Sequence, residues 1–260
     1  MSRAAWAPLA EELARWDAAG MAATFWWRDD DAAAPGPALD RLLDMGGRYG
    51  VPLALAVVPE PAGTPLADRL AREPLTTVLQ HGWAHRNWAP DGEKRQELGP
   101  HRPVAAVCAD IGRGRERIAA LFGDRALPVL VPPWNRIAPA VVEQLPTLGI
   151  SGLSTFGPRP ARLAARVAAC SVLAVNTHVD MIDWRNRSAA APEVVAAQAV
   201  AHLTARRTGR ADPDEPTGFL THHLVHGEAA WDLCARVLDF SMACKAVRWL
   251  DPRTVFEVRG

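Results

Sequence analysis

Apolar positions along this chain gather in short, almost wholly hydrophobic runs. They occupy residues 24–30 (TFWWRDD), 52–59 (PLALAVVP), 76–82 (TTVLQHG), 127–134 (LPVLVPPW), 149–157 (GISGLSTFG), 171–178 (SVLAVNTH) and 218–225 (GFLTHHLV). Their length and their β-branched and aromatic content predict strands buried on both faces. Between most of them, over 36–50, 102–123, 138–149 and 191–207, the apolar residues follow helical patterns. Such alternation predicts an α/β fold with a parallel sheet. Seven strands, with a weaker eighth in AVRWLDP (246–252), suit a barrel better than a small open sheet. Residues 1–20 carry charge throughout and predict an amphipathic helix packed on the barrel, not a leader peptide. VPEPAGTP (58–65) and NWAPDGEKRQELGPHRP (87–103) read as long loops within one domain spanning 1–260.

The strand ends carry the chemistry. Asp29, Asp30 and Asp31 close the first strand, His81 and His85 follow the third, and Asn135 follows the fourth. His178 and Asp180 follow the sixth, and His222 and His223 lie in the seventh. In barrels and open α/β sheets, the carboxyl ends of the strands build the active site. A spacing of four puts His81 and His85 on one face of a helical turn, the geometry of the HExxH zinc motif. Gly82 follows His81, however, so no glutamate base is supplied and that motif is excluded; two solvated or capping histidines fit the spacing as well. Three adjacent aspartates repel one another and are costly to bury without a cation, although a solvated turn before a helix would also hold them. One aspartate with the two histidines makes a three-ligand set with an open fourth position, the pattern of a catalytic divalent metal, zinc first.

The 260 residues are 49% hydrophobic with a formal net charge of zero, which argues against nucleic acid or an anionic membrane as partner. No apolar run reaches the roughly 18 residues of a membrane span. The 4 cysteines lie far apart without a CxxC pair, so neither a zinc knot nor a disulfide framework is expected. These features predict a soluble, cytoplasmic protein.

The ordered motifs resemble those of the polysaccharide deacetylase (NodB-homology, carbohydrate esterase family 4) superfamily, in a divergent form. The Asp pair of RDDDA and the HxxxH of HGWAH are similar to its first two motifs, VPPWN (131–135) to its third, HVDMIDW (178–184) to its fourth and LTHH (220–223) to its fifth. The resemblance spans residues 24–226. It implies a distorted (β/α)7 barrel and metal-dependent hydrolysis of a small-molecule or glycan substrate, removing an N-acyl group, acetyl most simply, from an amino sugar or related amide. It also implies a general base and a metal ligand in adjacent aspartates. Matching DDA to the family's Asp-Asp-Gly makes Asp30 the base and Asp31 the ligand; one position earlier makes them Asp29 and Asp30. His81 and His85 become the other ligands and His222 the general acid, with His223 its rival because neighbouring strand residues face opposite ways. Asp183 and Trp184 would support the site.

Two departures stand out. Gly82 replaces the family's usual Ser or Thr, and Val131 replaces the third-motif arginine that positions the base. Arg28 and Arg136 are the candidate substitutes for that arginine. Its loss leaves a non-catalytic carbohydrate binder, or a hydrolase of non-sugar amides, as the alternative. Trp134 is expected to offer a backbone N–H to an oxyanion, with Asn135 beside it; for His178 and Asp180, lining the pocket and a purely structural role are equally open. His101 and His202 read as ordinary loop and helix residues, His226 as a helix-start residue, and Glu97 as a solvated loop residue in preference to an anchor for the loop after HGWAH.

Overall fold

The structure, a computed structural model, describes residues 3–159, 166–167 and 172–257. Cys170 and Ser171, the latter opening the sixth expected strand, lie outside the described residues, as do residues 1–2. The chain runs α1 (Ala7–Ala18), β1 (Ala23–Ala32), α2 (Pro37–Tyr49), β2 (Leu53–Val57), α3 (Thr64–Leu70), β3 (Thr76–His81), α4 (Val104–Phe122), β4 (Ala126–Val131) and α5 (Pro139–Val142). Then come β5 (Gly152–Leu153), β6 (Arg166–Val167), β7 (Val172–Ala174), β8 (Val179–Asp180), β9 (Ile182–Asp183), β10 (Ser188–Ala189) and α6 (Pro192–Arg207). The chain ends with β11 (Thr217–Thr221), α7 (Glu228–Met242), β12 (Val247–Trp249) and α8 (Pro252–Val255).

The main sheet has the order β6-β7-β5-β4-β3-β2-β1-β11-β8, with β12 beside β1. Its pairs are parallel except β6–β7. It is a distorted (β/α)7 barrel, and each of the eight expected strands occurs in it. The short strand β8 was not expected: two residues are too few to leave a periodic signal. Helix α3 begins inside the proline-rich stretch that predicts only loop, because Pro65 sits in its first turn, where a missing N–H costs nothing.

Strand parity decides what enters the barrel. Trp26 of β1, Ala54 and Ala56 of β2, Leu79 of β3 and Val129 and Val131 of β4 pack in one interior cluster with Val175 and Phe256. The small alanines give room to the Trp26 indole. Trp27, Leu53, Leu55 and Val57 face outward against α2 and α3. The N-terminal helix packs outside as well, where Leu9, Leu13 and Trp16 meet Val195, Ala199 and Leu203 of α6. Continuing the inward rows by two residues puts Arg28 and Asp30 above Trp26, and His81 above Leu79. Among the described residues no ladder joins β7 to β8; the isolated bridge between Phe156 and Thr177 continues the β5–β7 pairing, and the seam lies where the chain passes from β7 to β8.

Candidate active site

Three aspartates leave β1 in three directions. Asp29 points outward, where His223 Nδ1 lies 2.5 Å from its Oδ1 and its Oδ2 accepts from Thr221 Oγ1 (2.7 Å) and the His223 N–H (3.0 Å). Burial works against this carboxylate, but the His223 charge and hydrogen bond hold its pKa below the ordinary value; His223 is raised in turn. Asp30 points inward. Asp31 would alternate outward again, but the β1–β2 register shifts between Asp29 and Ala32, and Asp31 sits at φ 73°. That bulge turns its carboxylate toward the histidines.

Asp31 Oδ1 lies 3.1 Å from His81 Nε2 and 3.2 Å from His85 Nε2. The tautomer of His81 is informative. Its Nδ1 faces the Val131 carbonyl at 2.9 Å, so Nδ1 carries the proton and the neutral ring presents a bare Nε2 lone pair to a carboxylate oxygen. Two acceptors face each other, an arrangement that needs a cation between them. Without one, a proton serves: burial opposes the imidazolium, yet Asp31 and Asp30 raise the His81 pKa. Against the same burial, the His81 hydrogen bond and charge hold Asp31 far below the carboxylate range. Two imidazole nitrogens and one carboxylate oxygen within 4.8 Å of one another fit a divalent metal.

Asp30 is fixed by Arg28, whose guanidinium is fully buried. Nε and one terminal nitrogen donate to the two Asp30 oxygens (2.8 and 2.9 Å). The remaining donors reach Ser154 Oγ (2.7 Å), the Thr155 carbonyl (3.2 Å) and Asn135 Oδ1 (2.9 Å). Asn135 adopts φ 57° and Trp134 φ 56°, and the Trp134 ring packs 4.3 Å from that of His85. Of the two candidate substitutes for the third-motif arginine, Arg28 is the one that meets Asp30, while Arg136 donates instead to the Arg95 carbonyl. Sequence reasoning missed Ser154 and Thr155, although a polar pair closing the apolar run GISGL was a signal.

His222 Nε2 lies 4.0 Å from Asp30 Oδ2, and Trp184 meets the His222 ring edge-on at 4.6 Å. Asp180 accepts from Trp184 Nε1 (2.8 Å), and burial raises its pKa against the opposing charge of His222. Asp183 is not brought to the site: it accepts from the Asn186 side chain (2.7 Å) and closes its own turn. His223 belongs to the outward Asp29 pair. Glu97 is not solvated as expected. It is 1% exposed and accepts from the N–H groups of Trp83, Ala84 and Arg86 (3.0, 2.8 and 3.4 Å). The carboxylate is drawn in because a turn of unpaired amides needs an acceptor.

His178 lies elsewhere, buried in the barrel seam and stacked at 3.4 Å on His202, with Glu215 Oε2 3.5 Å from its Nε2. His202 is therefore no ordinary helix residue. These three could hold a metal by proximity alone. The tautomer argues otherwise: the Gly218 N–H donates to His178 Nδ1 (3.0 Å), so the neutral ring carries its proton on Nε2 and offers no lone pair there. The two clusters are alike in composition and opposite in protonation.

No protein-family model and no curated protein matches the chain by sequence. Solved structures do match it. A putative polysaccharide deacetylase from Mycobacterium smegmatis is 15% identical, with TM-score 0.60 over 91% of this chain and 90% of its own. A peptidoglycan N-acetylglucosamine deacetylase is 16% identical, with TM-score 0.55 over 92% and 90%. A family 4 acetyl xylan esterase from Clostridium thermocellum, in complex with a cobalt ion, is 15% identical, with TM-score 0.53 over 90% and 91%. The fold of this chain is accordingly the one on which polysaccharide deacetylases and family 4 carbohydrate esterases are built, as the motif resemblance implies.

Proposed function

We propose that this protein is a metal-dependent deacetylase that hydrolyses the N-acyl bond of an amino sugar or related amide. The observation that carries the reading is the pair of facing acceptors: His81 and His85 aim Nε2 at Asp31 Oδ1 within 3.2 Å, beside an Asp30 already oriented. A divalent cation held by Asp31, His81 and His85, zinc first by donor type, supplies Lewis acidity to the reaction. Asp30 takes the proton of the attacking water as general base, its orientation kept by Arg28. His222 gives a proton from Nε2 to the departing nitrogen as the C–N bond breaks, so that an amine leaves and not an amide anion. Water and the N-acyl substrate become a carboxylate and a free amine. Trp184, edge-on to His222, keeps that ring in place. The Arg28 network also weakens the case for a non-catalytic binder, which rests on the missing arginine at Val131. The fold shared with a peptidoglycan deacetylase, and with an acetyl xylan esterase solved with a cobalt ion, supports the reading.

The test is metal analysis of the purified protein, joined to a carboxylate-release screen over N-acetylated and N-formylated sugars. About one divalent metal per active site is expected. Asp30→Asn should keep the metal and lose turnover, and His81→Ala should lose the metal. A protein that takes up no divalent metal, and in which His81→Ala changes nothing, overturns the proposal.

A further inference from the structure

We infer that Glu97 is a positioning residue that builds the His85 half of the metal site, and that Gly82 is the space that admits it. This rests on the proposed metal-dependent reading. His85 does not lie on a regular element: it sits in the turn after β3 at φ 53°, a left-handed conformation that a histidine holds only when its surroundings fix it. Glu97 fixes it from both sides. Its Oε1 accepts from the N–H before His85, that of Ala84, and from the N–H after it, that of Arg86. Its Oε2 takes the N–H of Trp83. Among the described residues no lysine or arginine forms an ion pair with this carboxylate, so the turn's own amides satisfy it, as in an anion-binding nest.

The departure at Gly82 follows from the same contact. Gly82 has φ 58°, and a Cβ there would collide with Glu97 Oε2 and come within 2.6 Å of Pro133 Cγ. The Ser or Thr usual at this position of the resembled motif is therefore incompatible with Glu97 in its pocket. Gly82 and Glu97 are a matched pair, by which a loop carboxylate orders a turn that would otherwise be left to itself. The collision makes the pairing testable from either partner.

The experiment titrates metal-depleted full-length protein with Zn2+ and Co2+ against a chromophoric chelator, for wild type, Glu97→Gln and Gly82→Ala. Outer-shell partners typically govern about 10–100-fold in metal affinity, and a loss of that size is expected in both variants, with an altered cobalt absorption spectrum as His85 moves. Amide exchange in the unmodified protein needs no variant: the N–H groups of Trp83, Ala84 and Arg86 should exchange slowly in the metal-free state. Fast exchange at these amides, or unchanged zinc affinity and cobalt spectrum in a folded Glu97→Gln protein, overturns the inference. Failure of the wild type to bind metal overturns the proposed function instead, and leaves the exchange result to judge the turn.

Discussion

Asp29, Asp30 and Asp31 are chemically identical neighbours, and geometry alone gives them different work. Alternation sends Asp29 outward to His223 and Asp30 inward to Arg28; the bulge returns Asp31 to the inner side. Sequence alignment by motif favours Asp30 and Asp31 through Ala32, but a bulge leaves no mark in a pattern of apolar residues. The same parity separates His222 from His223, which prediction from the sequence leaves as rivals. A paired substitution distinguishes them. His223→Ala strands the buried Asp29 carboxylate without its cation, a loss of about 3–5 kcal/mol, visible as a lower denaturant midpoint. His222→Ala removes a group partnered mainly by Trp184 and should leave the midpoint nearly unchanged while abolishing carboxylate release. Equal midpoints for the two variants would mean that the Asp29–His223 pair is not the structural one.

At the scale of elements, every strand set in an apolar run was legible, and β6, β8, β9 and β10, which lie outside such runs, were not. β1 to β4 are five to ten residues long and strongly apolar, so their places follow from composition. β8 is two residues long and owes its existence to neighbours already in place, which no local pattern reports. Glu97 was misread for a related reason: its partners lie 11–14 residues back along the chain, across a loop whose closure is non-local. Arg28 was legible as a candidate, but its choice over Arg136 depends on which side of β1 faces the core. One element is held by a missing side chain. Gly218 in β11 lies under Trp26, and a Cβ there would strike Trp26 Nε1 and approach the Asn176 carbonyl to 2.6 Å and Thr177 Cα to 2.8 Å. Backbone on one side and a core indole on the other cannot both yield, so Gly218→Ala should cost about 1–3 kcal/mol. Chemical denaturation reads this directly, and a neutral result would mean that the β11–seam contact is looser than drawn.

The whole molecule balances its charge, yet it concentrates buried histidines, and these set its response to acid. His178 and His202 lie in the seam with Glu215, Arg159 and Arg206. Burial, with His178 and Arg206 adding like charge, pushes the His202 pKa down from 6.5 to about 2; His178 is lowered mainly by burial. Burial likewise lowers His226 to about 4. Below pH 6.5 the unfolded chain takes up protons that the folded chain refuses, so stability falls with acid, by about 1.4 kcal/mol per pH unit for each such histidine. Two groups act with the opposite sign. His81, in the metal-free protein, and His223 have raised pKa values. Their contribution is complete below pH 6.5 and is lost as pH rises through the folded-state values. The carboxylates Asp29 and Asp31 are lowered, and their contribution fades only as pH falls below the ordinary carboxylate range. Metal-free protein should therefore be most stable near the ordinary imidazole pKa and weaken on either side. His202→Gln removes one refused proton while keeping a polar group beside Thr217. Its unfolding free energy, measured in urea from pH 6.5 down to about 5, should fall less steeply than that of the wild type by about 1.4 kcal/mol per pH unit. An unchanged slope would mean that His202 is already protonated in the folded state and that the seam carries its charge.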